Sequence, residues 1–198
     1  MSILQCDMPK SAPLKHQVRI IAGQYRRRLL AVVAAPDSAQ LRPTPDRVRQ
    51  TLFNWLDHFL TGWHGIRVID CFAGTGALGL EAASRGAASV LLCEHYSPAT
   101  AQLHSMVSAL QASNCTVRQG DALAQLLSTA PASVDLIFLD PPFHAGWLAK
   151  LHAPVSRVLA AGGLVYAESE TPLAWDGFEG LRHLKAGAVH GQLLRKVA

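Results

Sequence analysis

The stretch VIDCFAGTGALGLEAA, residues 68–83, decides the predicted fold. It opens on an apolar run typical of a buried strand and ends on residues that favour a helix. Between them, Gly74, Gly76 and Gly79 have the G-x-G-x-x-G spacing of a strand-to-helix turn in nucleotide-binding folds. Glu94 ends the next predicted strand, where an acid can accept hydrogen bonds from ribose hydroxyls. The stretch therefore predicts a site for a nucleoside-containing ligand at the carboxyl ends of the first strands.

Strand and helix patterns alternate from residue 66 onward. Predicted strands cover 66–70, 89–94, 116–121, 134–140 and 163–169, and predicted helices cover 77–86, 97–113, 121–130 and 146–160. Such alternation predicts right-handed βαβ crossovers and a parallel sheet with helices on both faces. Residues 177–187 and 189–197 have the pattern of two further strands, which we place as an antiparallel pair at one edge. The predicted fold class is therefore α/β, a Rossmann-like and mostly parallel sheet with an antiparallel C-terminal edge.

Two elements are predicted before this sheet. Residues 18–33 contain two short β runs joined at Gly23–Arg27, which predicts a hairpin. The stretch TPDRVRQTLFNWLDHFL, residues 44–60, predicts a helix with Thr44 as its cap and Pro45 at its first position. One face of that helix is apolar, because hydrophobic residues recur at helical spacing: Val48, Leu52, Leu56 and Phe59.

Positive charge is concentrated in the first quarter of the chain. Residues 1–50 hold nine Lys/Arg and three Asp/Glu, whereas residues 51–198 hold nine Lys/Arg and eleven Asp/Glu. This distribution favours a polyanionic partner, with nucleic acid preferred over a merely solvated basic face. The triplet Arg26–Arg28 is the densest part of it.

Several classes of protein are disfavoured by the sequence. A chain of 198 residues is expected to form one domain, and no apolar run reaches the roughly 18–20 residues that span a bilayer. The N-terminus lacks the apolar section of a signal peptide, so we expect a cytoplasmic protein. None of the four cysteines forms a C-x-x-C pair, and no two histidines have i, i+4 spacing, so we expect no metal site.

The acid before the glycines distinguishes between two kinds of ligand. Asp70 precedes Gly74 by four residues, and a carboxylate there would repel a pyrophosphate but could bind a cationic amino-acid group. No Lys-Ser or Lys-Thr follows the glycines, which excludes a P-loop. The form D-x-F-A-G-T-G resembles the S-adenosylmethionine loop of class I methyltransferases. That resemblance implies a set of donor-binding residues: Asp70, Phe72, Ala73, Gly74, Thr75, Gly76, Glu94, Asp121, Ala122 and Asp140.

The stretch LDPPF, residues 139–143, ends the fourth strand of the predicted sheet. It resembles the D/N-P-P-F/Y motif of methyltransferases that act on exocyclic amino groups of bases or on an amide. Such an amine is a poor nucleophile, because its lone pair is delocalised. Asp140 and the Pro141 carbonyl can accept hydrogen bonds from its two N–H groups, and Phe143 can stack on the base. The catalytic residues implied by the motif are Asp140, Pro141, Pro142 and Phe143.

A narrower resemblance covers nearly the whole chain. RIIAGQYRRRLL (19–30), LRPTPDRVRQTLFNWL (41–56), the glycine loop, LDPPF and YAESE (166–170) occur in the order of the bacterial 16S rRNA (guanine-N2)-methyltransferases of the small ribosomal subunit. The resemblance implies methyl transfer from S-adenosylmethionine to one guanine of 16S rRNA within the small subunit or its late assembly intermediate. Two positions depart from the family pattern: Gln50 stands where an acid is expected, and Gly191 stands near a position of the last strand where an aromatic residue is common.

The resemblance also implies a domain organisation and an RNA-binding surface. We expect a flexible tail over 1–17, a β-hairpin extension over 18–42 and an S-adenosylmethionine-dependent methyltransferase domain over 43–198, in a monomer. The hairpin and the segment after it are expected to lie beside the donor and the RNA. The candidate RNA-binding residues are Arg19, Arg26, Arg27, Arg28, Arg42, Thr44, Arg47 and Arg49.

Three alternatives stay open at this point. An adenine-N6 DNA methyltransferase would use the same donor and the same LDPPF corner, but the chain has little room for a separate target-recognition region. Methylation of a protein glutamine is a second alternative, although asparagine commonly opens that version of the motif. The third is a non-catalytic ribosome assembly factor that kept the fold.

Overall fold

The computed structural model describes residues 18–32, 45–143 and 145–197, and its centre is a seven-stranded sheet of order β5-β4-β3-β6-β7-β9-β8. Its strands are β3 (Arg67–Asp70), β4 (Ser89–Glu94), β5 (Cys115–Gln119), β6 (Val134–Leu139), β7 (Leu159–Ser169), β8 (Phe178–Ala186) and β9 (Val189–Lys196). The helices of the described segments are α1 (Asp46–Phe59), α2 (Gly79–Ser84), α3 (Ser97–Leu110), α4 (Ala122–Ser128) and α5 (Trp147–Val158). None of these helices is long and apolar enough to cross a membrane.

The sheet is parallel except at one edge. Strands β3 to β7 pair in parallel, whereas β9 runs antiparallel to both β7 and β8. The predicted α/β class and its antiparallel C-terminal edge are therefore confirmed. β9 takes the inner position because Leu193 and Leu194 are buried, while most side chains of β8 are exposed. A strand with an exposed, polar pattern is suited to a sheet edge.

Two hydrophobic cores cover the two faces of the sheet. Leu136 and Phe138 of β6 pack on the side of α1, α2 and α3, and Ile137 and Leu139 pack on the side of α4 and α5. This division follows from the alternation of side chains along a strand. Because both faces are covered, the middle of β6 is a continuous apolar run from Leu136 to Leu139.

The N-terminal hairpin is packed onto the domain. β1 (Val18–Arg19) pairs antiparallel with β2 (Leu29–Leu30), which confirms the predicted hairpin. At its turn, the Gln24 N–H donates to the Ser84 carbonyl oxygen at 2.7 Å, at the end of α2. Gly23 has a φ of +79°, and a Cβ there would lie 1.8 Å from the same carbonyl oxygen, so this contact requires glycine. The predicted tail 1–17 and the predicted boundary between residues 42 and 43 lie outside the described residues.

Helix α1 begins one residue later than predicted. Pro45 is the residue before the first turn, with a ψ of 145°, so its predicted place as the first helical residue is wrong. Its carbonyl oxygen still accepts hydrogen bonds from the Val48 and Arg49 N–H groups. The predicted cap, Thr44, lies outside the described residues. The apolar face is confirmed, because Val48, Leu52 and Leu56 are buried and Phe59 is partly buried.

Candidate active site

Three carboxylates stand at the carboxyl ends of neighbouring strands. Asp70 ends β3, Glu94 ends β4 and Asp140 directly follows β6. β3 lies between the other two strands, with Asp70 opposite Leu92 of β4 and Phe138 of β6. The ends of adjacent parallel strands lie at one edge of a sheet, where open α/β folds bind their ligands. The glycine loop and the LDPPF corner therefore border the same edge.

The glycine loop connects β3 to α2 and is held between the sheet and two helices. Gly76 has a φ of +80°, which favours glycine, and a Cβ there would lie 2.7 Å from Leu80 Cδ1 and 2.8 Å from Leu103 Cδ2, so a side chain would displace both buried leucines. The loop is anchored to β4 by the Ala73 N–H, which donates to the Cys93 carbonyl oxygen at 2.9 Å. Phe72, Gly74 and Thr75 are half-buried and line the outer part of the loop, whereas Ala73 is buried.

Asp70 lies beneath this loop. Its side chain is 2% exposed, and one carboxylate oxygen accepts a hydrogen bond from the Gly79 N–H at 2.9 Å. Burial raises the pKa of Asp70 to about 7; the Gly79 hydrogen bond opposes that rise, and the neighbouring Glu94 charge adds to it. The carboxylate thus fixes the start of α2 against the strand end. Its predicted contact with a cationic ligand group stays a prediction.

The acids of the next two strands also bind the backbone. Glu94 accepts from the Gly74 N–H at 2.8 Å and from the Tyr96 N–H at 2.7 Å, and its side chain is half-buried. Asp121 caps α4 by accepting from the Ala124 N–H at 3.0 Å. Both carboxylates lie at the ligand-binding edge. The predicted ribose contact of Glu94 and the predicted adenine contacts of Asp121 and the buried Ala122 remain predictions.

The LDPPF corner leaves β6 at the same edge. Asp140 and Phe143 are half-buried, Pro141 is buried and Pro142 is exposed. The register of β6 and β7 pairs Leu139 with Ala167, so Asp140 comes next to Glu168. His144, which follows the corner, lies outside the described residues. The two prolines follow the strand end as predicted, although β6 ends at Leu139, one residue before the predicted end at Asp140.

An aromatic pair that the sequence did not predict joins the glycine loop to the start of α5. The Phe72 ring of the glycine loop lies 5.6 Å from the Trp147 ring at the start of α5, in an edge-to-face arrangement. Lys150 places its Nζ 5.5 Å from the same Trp147 ring. The signal in the sequence was the tryptophan four residues after Phe143, but only the fold brings it to Phe72. The two rings and Lys150 form an aromatic and cationic surface next to the LDPPF corner. Such a surface is suited to stacking on a base.

The predicted RNA-binding residues fall into three groups. Arg19, Arg26, Arg27, Arg28 and Arg47 are exposed. Arg42 and Thr44 lie outside the described residues. Arg49 is fully buried, so its predicted contact with RNA is wrong.

Arg49 instead ties three segments together. Its guanidinium donates to the Arg19 carbonyl oxygen and to Asp46 Oδ1, each at 2.7 Å, and approaches the Ala77 carbonyl oxygen at 3.5 Å. The sequence carried a signal for this role, because Arg49 precedes Phe53 and Leu56 by four and seven residues and so shares their buried face. Among the described residues, no group of three or more His, Cys, Asp or Glu side chains is placed to hold a metal ion.

Comparisons with known proteins agree on one family. The family model described as conserved hypothetical protein 95 matches residues 18–195. Ribosomal RNA small subunit methyltransferase D of Escherichia coli K12 is 43% identical over 156 residues, covering 78% of this chain and 75% of that protein. The protein of the same name from Haemophilus influenzae is 37% identical over 175 residues, covering 81% and 86%. The solved structure of yhhF from Escherichia coli has a TM-score of 0.79 at 38% identity, covering 92% of this chain and 99% of that one.

Proposed function

The chain belongs to the family of ribosomal RNA small subunit methyltransferase D, described also as conserved hypothetical protein 95, and on that premise we propose that it methylates the exocyclic N2 amine of one guanine in 16S rRNA. The methyl donor is S-adenosylmethionine. The substrate is the small ribosomal subunit or its late assembly intermediate, and the enzyme acts as a cytoplasmic monomer. The observation that carries the proposal is the meeting of the glycine loop and the LDPPF corner at one edge of the sheet.

The edge suits a cationic nucleoside. Asp70, Glu94, Asp121 and Asp140 all follow the carboxyl ends of strands there, which gives the edge a negative charge. A sulfonium and an ammonium group are favoured by such surroundings, whereas a pyrophosphate is disfavoured. The backbone of Phe72–Gly76 would hold the amino-acid part, Glu94 the ribose, and Asp121 with Ala122 the adenine. When bound, S-adenosylmethionine supplies an electrophilic methyl group.

The remaining chemistry belongs to the LDPPF corner. Asp140 and the carbonyl oxygen of Pro141 each accept a hydrogen bond from one N–H group of the guanine amine. These two hydrogen bonds localise the lone pair on nitrogen. Phe143 stacks on the base and keeps the amine aligned for attack. The amine becomes acidic only as the new C–N bond forms and the S–CH3 bond of the donor breaks, with S-adenosylhomocysteine as the other product, so no strong base is required. Asp140 then holds the departing proton until it reaches water.

The substrate must present an unstacked base to this corner. Sequence-specific RNA recognition commonly uses loops and bulges whose bases can leave the stack, and base-modifying enzymes take the target base into a pocket. The exposed Arg26, Arg27 and Arg28 would bind phosphates without regard to sequence. Specificity would then come from the folded surface of the subunit.

The proposal is tested with a panel of substrates. The purified protein is incubated with labelled S-adenosylmethionine and small subunits from cells lacking the enzyme, beside naked 16S rRNA and unmethylated DNA, followed by nucleoside mass spectrometry. We expect N2-methylguanosine in the subunit sample. Methyladenine in the DNA would assign the chain to adenine methylation, and transfer to no substrate at all would contradict the proposed function.

A further inference from the structure

A second carboxylate stands beside Asp140. The string YAESE places Glu168 near the end of β7, and the pairing of Leu139 with Ala167 puts Asp140 and Glu168 at neighbouring positions on adjacent strands. Neighbouring strands lie about 4.8 Å apart, so the two carboxylates can reach one ligand edge together. Nothing in the proposed function uses Glu168.

Glu168 is held in a fixed position. Its side chain is 6% exposed, and one of its carboxylate oxygens accepts a hydrogen bond from the buried Tyr166 hydroxyl at 2.9 Å. The hydroxyl lies against Gly191 of β9, where a Cβ would be only 2.6 Å from it. The glycine that departs from the family pattern is thus explained by the space that Tyr166 takes. A carboxylate has about four acceptor positions and can accept from several donors at once.

The pKa of the same tyrosine is affected by both carboxylates. Burial raises the pKa of the Tyr166 hydroxyl, and the charges of Glu168 and Asp140 raise it further. Tyr166 is therefore a neutral donor throughout the physiological range. Both acids lie close enough to this one hydroxyl to act on it, which agrees with their adjacent positions in the register.

Two adjacent acceptors match guanine and not adenine. The Watson–Crick edge of guanine presents the N2 amine and the neighbouring N1–H, which are both donors. Adenine presents an amine beside a bare N1, which is an acceptor and would face the second carboxylate with no hydrogen between them. A buried site built to accept a hydrogen bond can reject the analogue that lacks the donor by about 10⁴-fold.

We propose that Glu168 determines base specificity by accepting a hydrogen bond from N1–H of the target guanine while Asp140 holds the N2 amine. Tyr166 is its positioning residue, because it fixes the carboxylate without touching the base. This inference rests on the proposed function, since it assumes that a guanine amine reaches Asp140.

The test uses a base that separates the two contacts. 2,6-Diaminopurine has the same N2 amine as guanine but carries no hydrogen on N1. Small subunits are reconstituted with guanine or with 2,6-diaminopurine at the modified position, once mass spectrometry of ribonuclease fragments has located it. Transfer rates are measured for the wild type, for Glu168→Gln and for the control Glu179→Gln, whose side chain is 61% exposed on β8. Donor affinity and melting temperature are recorded for each protein.

The wild type and Glu179→Gln should prefer guanine by at least about a hundredfold. Glu168→Gln should methylate guanine at least tenfold more slowly, and its preference should fall at least tenfold, because the amide can donate to the bare N1. Donor affinity should not change. A preference that is unchanged in a folded Glu168→Gln protein would overturn the inference.

A further comparison does not depend on the variant. If the wild type methylates both bases equally well, the inference is overturned even when Glu168→Gln fails to fold. If the wild type methylates no guanine in the subunit, the proposed function itself has failed. The two failures are therefore distinguishable.

Discussion

Asp70 illustrates how burial changes the behaviour of one residue at the edge of the sheet where the glycine loop and the LDPPF corner lie. The pKa of its 2% exposed carboxyl is about 7, whereas the same group in an unfolded chain ionises near about 3.9. Between these two values the folded protein binds more protons than the unfolded chain. The free energy of unfolding therefore falls as the pH rises from about 4 to about 7, and this group no longer changes it at higher pH.

We predict that the free energy of unfolding of Asp70→Asn increases, relative to that of the wild type, as the pH is raised from 5 to 8. The gain should be on the order of 2–3 kcal/mol, because the neutral amide avoids the cost of a buried charge and its oxygen can still accept from the Gly79 N–H. Urea unfolding at the two pH values, without donor, measures it.

Asp135→Asn is the matched control. Asp135 is bound by Arg67, whose hydrogen bond lowers the pKa of the carboxyl. A lowered pKa contributes stability that is lost only below about pH 4, so the stability difference for this variant should be the same at pH 5 and pH 8. An equally constant difference for Asp70→Asn would show that its carboxyl does not titrate in this window.

At the scale of elements, Glu81 joins the hairpin to two helices. Its side chain is fully buried in α2 and accepts hydrogen bonds from the Ile21 and Ala22 N–H groups of the hairpin. It also accepts from Arg85 Nε, and Arg85 reaches Asp57 of α1 at 2.7 Å. Glu81 is therefore one of the buried groups that hold the basic hairpin against the domain, together with Ser84 and Arg49.

Removal of this carboxylate should weaken the attachment of the hairpin to α2. We predict that Glu81→Ala lowers the free energy of unfolding by roughly 3–5 kcal/mol, because it leaves buried donors unpaired. Amide hydrogen exchange at residues 20–25 should accelerate more than exchange in β6. Glu179→Ala on β8 removes an exposed carboxylate 4.0 Å from Arg195 and should cost less than about 1 kcal/mol. A loss for Glu81→Ala as small as that of the control would contradict this role.

Elements were more predictable than their contacts. The helix pattern at 77–86 corresponds to α2, which is confined to Gly79–Ser84 because the loop continues through Leu78. Period and turn signals are local, so the sequence predicts where β6 and β7 end. That Glu168 stands beside Asp140, or that Arg49 is buried, depends on strand order and helix packing, which no local pattern contains.

For the molecule as a whole, the basic turn and the glycine loop lie at opposite ends of α2. The helix starts at the glycine loop and ends at Ser84, where the hairpin turn is bound. Six residues of helix span about 9 Å, so an RNA that reaches Asp140 and also contacts Arg26–Arg28 must extend along this side of the domain. A structured subunit meets that requirement better than a single nucleotide does.

We predict that replacing Arg26, Arg27 and Arg28 with alanine weakens subunit binding. The slope of log affinity against log salt should decrease by roughly 2–3, because three phosphate contacts are lost, while donor affinity should not change. A control protein with Arg118, Arg182 and Arg195 replaced loses the same charge elsewhere and should keep the slope. Equal effects of the two triple changes would mean that only net charge matters.

In the proposed function, the LDPPF corner performs the transfer to a base beside a donor held by the glycine loop. The most direct measurement compares Asp140→Ala with Asp135→Ala, a change of the same residue type at the other end of the same strand. Methyl transfer to unmethylated small subunits and donor affinity by calorimetry are measured for both proteins. We expect Asp140→Ala to lose at least about a hundredfold in transfer and far less in donor affinity, because the other predicted donor-binding residues remain, and Asp135→Ala to retain transfer. Transfer by Asp140→Ala at the wild-type rate would contradict the account.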